Sequence, residues 1–259
     1  MNSWPYPHAI AHRGGGAFAP ENTVAAIRTG CERGFRGVEF DVTLSADGEP
    51  LLMHDATLDR TTDGAGPVAG RSWAELARLD AGRWFSGEFA GEPVAHLTQA
   101  IAYCRSHQVW INAELKPSAG DKRRTGQRVA QALAQGFADR MPPPGETAHR
   151  PDAQLPLLSS FSGTALAAAR DAVPGLPRGL LCARVPRNWR EQLQQLQCVA
   201  LHCDHRHLDA AAIRTIRDAG YWVYAYTVNE RPRAIQLVQW GIDALCTDRL
   251  DQVDATLFD

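Results

Sequence analysis

The chain has 259 residues, of which 44% are hydrophobic and 22% charged, with a formal net charge of -2. That length suits one or two domains, and (β/α)8 barrels often use it as one. The balanced charge argues against nucleic acid or an anionic membrane surface as the main partner, and no apolar run approaches the roughly 18 residues that span a bilayer. The opening Met-Asn-Ser-Trp-Pro-Tyr-Pro-His has neither a basic nor an apolar leader segment, so a cytoplasmic location without a membrane anchor is expected. Six scattered cysteines form no Cys-x-x-Cys pair and are expected to be reduced.

In chain order, Ala9-Ile10-Ala11 is a short apolar run that delivers His12 and Arg13 into Gly14-Gly15-Gly16. Glycines there allow backbone N–H groups to approach a ligand. Asn22 or Thr23 can cap the helix that follows, whose stripe is Val24, Ile27 and Cys31, and Gly34 ends it. From Gly37 the residues alternate, with Val38, Phe40 and Val42 on one face and Glu39, Asp41 and Thr43 on the other. Two acids on one strand face are costly unless something pairs with them, and a cation is the economical explanation; the alternative is an edge hairpin with a polar outer face. Asp47-Gly48 signals a hairpin. With a two-residue turn, Asp41 pairs with His54, which brings an imidazole beside both carboxylates.

Residues 55 to about 95 are irregular and rich in turn formers. They read as an insertion subdomain above a barrel mouth, with its own apolar set of Trp73, Leu76, Leu79, Trp84, Phe85 and Phe89. A helix over Leu97–His107 precedes a strand in which Asn112, Glu114 and Lys116 share a face. Without a metal, Glu114 would simply pair with Lys116. After a helix over Arg123–Phe137, a proline-rich loop is expected over Met141–Ala153. Strands then alternate with helices: strands Leu155–Phe161, Gly179–Ala183, Val199–Cys203, Trp222–Val228 and Ala244–Thr247, helices Gly163–Ala172, Trp189–Leu196, Ala210–Ala219 and Arg231–Trp240. The eight strands predict an α/β fold, a (β/α)8 TIM barrel spanning 1–259 as one domain, with the insertion after the second strand. An open doubly wound sheet is the alternative. His12, Arg13, Glu39, Asp41, Glu114 and Lys116 all fall at or near the C-terminal ends of strands, where such barrels keep their active sites. Phe161, also at a strand end, can line a pocket or join the core. His202, Cys203, Asp204, His205 and His207 match no closed zinc spacing, and a solvated strand end is expected there. Asp55, Asn22, Asp248 and Asn229 can be structural or can support the site, and His8, His96, His107 and His149 are expected on the surface.

His12-Arg13-Gly14, Pro20-Glu21-Asn22-Thr23, Val38-Glu39-Phe40-Asp41-Val42, Met53-His54-Asp55, Leu58-Asp59-Arg60-Thr61-Thr62, Gly64, Asp80-Ala81-Gly82-x-Trp84-Phe85, Asn112-Ala113-Glu114-Leu115-Lys116 and Cys246-Thr247-Asp248 together resemble the glycerophosphodiester phosphodiesterase family. The resemblance runs from the first strand to the last. It implies hydrolysis of a small glycerophosphodiester, such as glycerophosphocholine or glycerophosphoethanolamine, to sn-glycerol 3-phosphate and an alcohol. It implies one divalent cation, Mg2+ or Ca2+, on Glu39, Asp41 and Glu114. It implies general acid–base catalysis by His12 and His54, with phosphate held by Arg13 and Lys116. Attack by the glycerol 2-hydroxyl through a cyclic phosphate and direct attack by water both remain open, as does which histidine is the base. The chain departs from the family at Tyr226, where Trp is common, and at Ala95-His96-Leu97-Thr98-Gln99, where Pro-Thr-Leu-Glu-Glu is common. Lysophospholipid hydrolysis on the same centre is the alternative activity, with Trp73, Trp84, Phe85 and Phe89 as its apolar groove. A non-catalytic binding protein is a third reading.

Overall fold

In the computed structural model, residues 3–143 and 152–258 are described. The proline-rich loop lies partly outside them, as does His149. The chain begins with strand β1 (Ala9–Ala11), helix α1 (Val24–Glu32), strand β2 (Gly37–Leu44) and its antiparallel return β3 (Pro50–Leu52). After a short helix α2 (Trp73–Leu76), α3 (Leu97–Ser106) leads to β4 (Trp110–Leu115) and α4 (Lys122–Gly136). The alternation continues with β5 (Leu157–Ser160), α5 (Gly163–Ala172), β6 (Arg178–Cys182), α6 (Trp189–Leu196), β7 (Ala200–Asp204), α7 (Ala210–Asp218), β8 (Trp222–Tyr226), α8 (Arg231–Gln239) and β9 (Ala244–Thr247). Strand order is β1-β9-β8-β7-β6-β5-β4-β2, and β1 also pairs with β2. That last pairing, Ala11 against Val38, closes the barrel and excludes the open sheet. No helix among the described residues is long and apolar enough to cross a membrane.

Inward and outward faces follow the strand alternation. Val38, Phe40 and Val42 pack outward against the helices in the main core, while Ile10, Trp110, Leu157, Ala200, Trp222 and Tyr224 form a second cluster. The N-terminal segment completes that second cluster. Trp4 packs edge-on against Trp222 at 5.4 Å, and Tyr6 stacks on Trp110 at 4.5 Å. Trp110 and Trp222 open their strands, so these rings plug the N-terminal end of the barrel and leave the other end for chemistry.

Three expectations need correction. The hairpin turn has three residues, Ala46-Asp47-Gly48, between Ser45 and Glu49, whose backbones pair at 3.0 Å, with Gly48 at φ +86°. This is a type I turn closed by a left-handed residue, and it moves the register by one. Val42 faces Leu52, and Met53, not His54, donates its N–H to the Asp41 carbonyl. His202 and Cys203 are fully buried, because both positions lie within β7 and alternate inward and outward; His202 stacks on Tyr224 at 4.3 Å inside the barrel. The insertion core is built from Leu51, Met53, Leu58, Val68, Leu76, Ala81 and Val94, with Trp73 and Leu79 at its edge. Trp84, Phe85 and Phe89 stay outside it and pack edge-on against one another.

The family departure near His96 has a local account. Its ring nitrogen accepts from the Thr98 N–H at 3.2 Å, and Gln99 returns to the His96 N–H at 2.9 Å, so the pair caps α3 as Thr and Glu would. Trp4→Ala is expected to cost about 3–5 kcal/mol, seen in a melting experiment as a Tm fall of roughly 10 °C.

Candidate active site

β1 ends at Ala11 and hands His12 to a tight loop in which Arg13 and Gly16 take left-handed backbone angles of +50° and +55°. Gly16 sits so close to the Asp248 carbonyl that a Cβ would overlap it. This approach brings the loop after β1 against the end of β9. There the His12 Nδ1 meets Asp248 Oδ1 at 2.6 Å. Asn229, beyond β8, donates to Asp248 Oδ2 at 3.0 Å and accepts from its backbone N–H at 2.8 Å. Burial alone would lower the His12 pKa, but the Asp248 carboxylate, with Glu39 adding to it, holds it above the ordinary value.

Glu39 and Asp41 point inward from β2, and register sets Asp41 beside Glu114 of β4. Each of the three acids offers one oxygen within 4.8 Å of the others. Asp41 is locked by Asn22, which donates to Asp41 Oδ2 at 2.8 Å and accepts from its N–H at 2.9 Å. Asn22 holds a left-handed φ of +59° to reach it, and Thr23 is therefore the helix cap. Glu39 Oε2 accepts from the Arg13 N–H at 3.1 Å, while its buried Oε1 has no partner among the described residues. Burial and the Asp41 charge push the carboxyls of both Glu39 and Glu114 well above the usual range. Three crowded carboxylates resist joint ionisation unless a cation sits among them. An all-oxygen donor set in which the buried Oε1 atoms of Glu39 and Glu114 have no hydrogen-bond partner among the described residues fits a hard divalent ion. Among the described residues no second such cluster of His, Cys, Asp or Glu occurs, the β7 histidines included.

Cations border the acids. Lys116 lies 3.1 Å from Glu114 Oε1 and 3.8 Å from Asp41 Oδ1. The Arg13 Nε lies 3.6 Å from Asp41 Oδ2. Across the mouth, the His54 Nδ1 meets Asp55 Oδ1 at 2.7 Å. Both histidines thus have an aspartate at Nδ1, which fixes the ring and leaves Nε2 outside that contact. His54, Glu114, Lys116 and the half-exposed Phe161 line a cleft of about 350 Å³, and the insertion contributes Ala56, Val68 and Ala69 to its wall. Phe161 therefore belongs to a pocket and not to the core. Its ring meets Tyr226 edge-on at 5.9 Å, and beyond that ridge Tyr226, Asp204 and Glu230 line a further recess. Trp73, Trp84, Phe85 and Phe89 do not line the cleft.

His12, Arg13, Glu39, Asp41, His54, Glu114, Lys116 and Phe161 are thus gathered at one mouth, and the aromatic residues of the insertion are not. Of the residues open between structural and supporting roles, Asn22, Asp55 and Asp248 are bonded to Asp41, His54 and His12, and Asn229 acts one step further out, on Asp248. Asp55 was readable as the neighbour of His54; Asp248 needed the barrel closed.

Histidines and carboxylates clustered at the C-terminal ends of a closed (β/α)8 barrel define a TIM-barrel enzyme. A family model described as "Glycerophosphoryl diester phosphodiesterase family" matches residues 12–252. A glycerophosphodiester phosphodiesterase of Caldanaerobacter subterraneus subsp. tengcongensis is 28% identical over 242 residues, 92% of this chain and 93% of that one. A solved phosphodiesterase of Oleispira antarctica, in complex with the product sn-glycerol-3-phosphate, is 36% identical with a TM-score of 0.84, over 94% of this chain and 93% of that one. The glycerophosphodiester phosphodiesterase structure from Agrobacterium tumefaciens is 25% identical with a TM-score of 0.76, over 97% of this chain and 98% of that one. The chain belongs to the glycerophosphoryl diester phosphodiesterase family.

The His12–Asp248 pair predicts a pH effect on the chelator-treated protein. A folded pKa above the unfolded value of about 6.5 stabilises fully below that pH and loses its contribution as pH rises through the folded pKa. Asp248→Asn should therefore cost more in Tm at pH 6 than at pH 9, and should move the His12 titration seen by NMR downward. An equal Tm loss at both pH values would show that Asp248 acts only by packing.

Proposed function

We propose that the chain hydrolyses glycerophosphodiesters to sn-glycerol 3-phosphate and an alcohol, with Glu39, Asp41 and Glu114 holding one divalent cation. One observation carries this reading: the three acids lie within 4.8 Å of one another, with His12 3.8 Å from Glu39 and His54 lining the same cleft as Glu114, each histidine braced by an aspartate, in a member of this family. Mg2+ and Ca2+ both suit three carboxylates with no nitrogen or sulfur ligand. The bound cation supplies positive charge beside the phosphoryl oxygens.

The chain's own groups do the rest. Arg13 and Lys116 grip the nonbridging oxygens, Arg13 through its planar fork and Lys116 as a point charge. Charge grows on those oxygens toward the transition state, so fixed cations lower the barrier. His12 and His54 approach the phosphorus from different sides of the mouth: one takes a proton at Nε2 from the nucleophile, the other gives one to the leaving oxygen. Phe161 lies against the substrate on the cleft wall. The nucleophile is the glycerol 2-hydroxyl in one route and water in the other. In this reading residues 1–259 act as one unit with 55–95 as the entrance wall, and the reaction is placed in the cytoplasm.

Chelator-stripped protein incubated with glycerophosphocholine should release sn-glycerol 3-phosphate only after Mg2+ or Ca2+ is added. His12→Ala and His54→Ala should each lower turnover by about 10²–10⁴-fold. Glu114→Ala should also abolish the heat of divalent-ion binding seen by calorimetry. Release that is insensitive to chelator would sink the metal assignment. A diester without the neighbouring hydroxyl separates the two routes, since unchanged turnover excludes the cyclic phosphate.

A further inference from the structure

Glu21 and Arg60 have no part in the chemistry described above, yet they connect two groups that do. The Arg60 Nη1 and Nη2 reach Glu21 Oε2 and Oε1 at 2.7 and 2.8 Å. Its Nε and Nη2 reach Asp55 Oδ2 and Oδ1 at 2.7 and 3.0 Å. Asp55 Oδ1 also meets the His54 Nδ1, and Glu21 Oε1 also accepts from the Arg13 Nη1 at 2.7 Å. The result is an unbroken run His54–Asp55–Arg60–Glu21–Arg13. It joins the start of the insertion to the loop after β1, two segments 39 residues apart at Arg60 and Glu21. His12 has no share in it, being held from the other side by Asp248 and Asn229.

We propose that Glu21 and Arg60 are positioning residues that hold the His54 imidazole and the Arg13 guanidinium in one frame. The role given to those two groups rests on the proposed function. An aspartate next to a histidine in sequence can rotate away from it. Arg60 prevents this by occupying both Asp55 oxygens, which only a planar fork with donors on two edges can do while also occupying both Glu21 oxygens. A fixed Asp55 keeps the proton on Nδ1 and leaves Nε2 of His54 as the acceptor facing the cleft. At the other end, Glu21 is largely buried and fixes the direction of Arg13, whose Nε remains beside Asp41. Ordinary surface ion pairs do little, and Arg60 is partly exposed. A purely structural role would therefore leave catalysis and the histidine tautomer untouched.

The test compares Arg60→Ala, Arg60→Gln, Arg60→Lys and Glu21→Gln with the full-length protein, Asp55→Asn marking complete loss of the brace. Arg60→Ala and Arg60→Gln should lower kcat by about 10- to 100-fold with little change in KM. Glu21→Gln should also raise KM, because Arg13 loses its anchor. Arg60→Lys keeps the charge, loses the fork and should not rescue. In parallel, 15N NMR of histidine-labelled, chelator-treated protein reads the neutral His54 ring without any turnover. Wild type should show the Nδ1–H tautomer alone, and the Arg60 variants should shift toward Nε2–H as Asp55→Asn does. A wild-type tautomer in folded Arg60→Ala or Arg60→Gln overturns the proposal. If wild type cleaves no glycerophosphodiester, the proposed function fails, and the tautomer comparison alone decides the positioning role.

Discussion

Repulsion among three buried carboxylates is the constraint around which the rest of the mouth is arranged. Glu39, Asp41 and Glu114 are brought within 4.8 Å by strand register alone, since β2 offers two inward acids and β4 sets Glu114 beside Asp41. A folded chain cannot leave such a group uncompensated. Around it stand Lys116, Arg13 and the His12 ring, and a hard cation would complete the balance. The same need explains Asn22, whose strained backbone is retained because its amide serves both the carboxylate and the N–H of Asp41.

The two ends of the barrel divide the labour. At the N-terminal end, Trp4, Tyr6, Trp110 and Trp222 form a buried aromatic plug that stabilises without touching the chemistry. At the C-terminal end the loops are polar, charged and cross-braced. An ion-pair run such as His54–Asp55–Arg60–Glu21–Arg13 contributes little to stability where it meets solvent. Its contribution is orientation: geometry that would otherwise depend on mobile side chains is tied to the loops on both sides.

The alternation of β2 and the spacing of β4 were legible because a period of two needs no knowledge of partners. Eight strands and the helices between them followed from simple periodicity for the same reason. The register of the hairpin was not, since a left-handed Gly48 serves a three-residue loop as well as a two-residue one. His54 still reaches the cleft, because it lies just past the end of β3, where the chain is free to turn. His202 lies inside β7 and is buried, although the polar residues that follow it in sequence mimic a solvated strand end. Trp4 and Tyr6 were missed because nothing local marks a segment that packs only once the barrel has closed. Asp248 stood at a strand end, but its pairing with His12 spans 236 positions and belongs to closure, not to any local pattern.

That pairing has a bearing on synthesis. By the time Lys116 has been made, the chain holds all three acids, both histidines, Arg13 and the whole His54 brace. Only His12 lacks its partner, which sits in the loop after the last strand, and the barrel itself stays open until β9 joins β1. A nascent chain leaving the ribosome thus carries nearly every side chain of this mouth long before they can come together. The act that completes the fold is the same one that orients the final histidine.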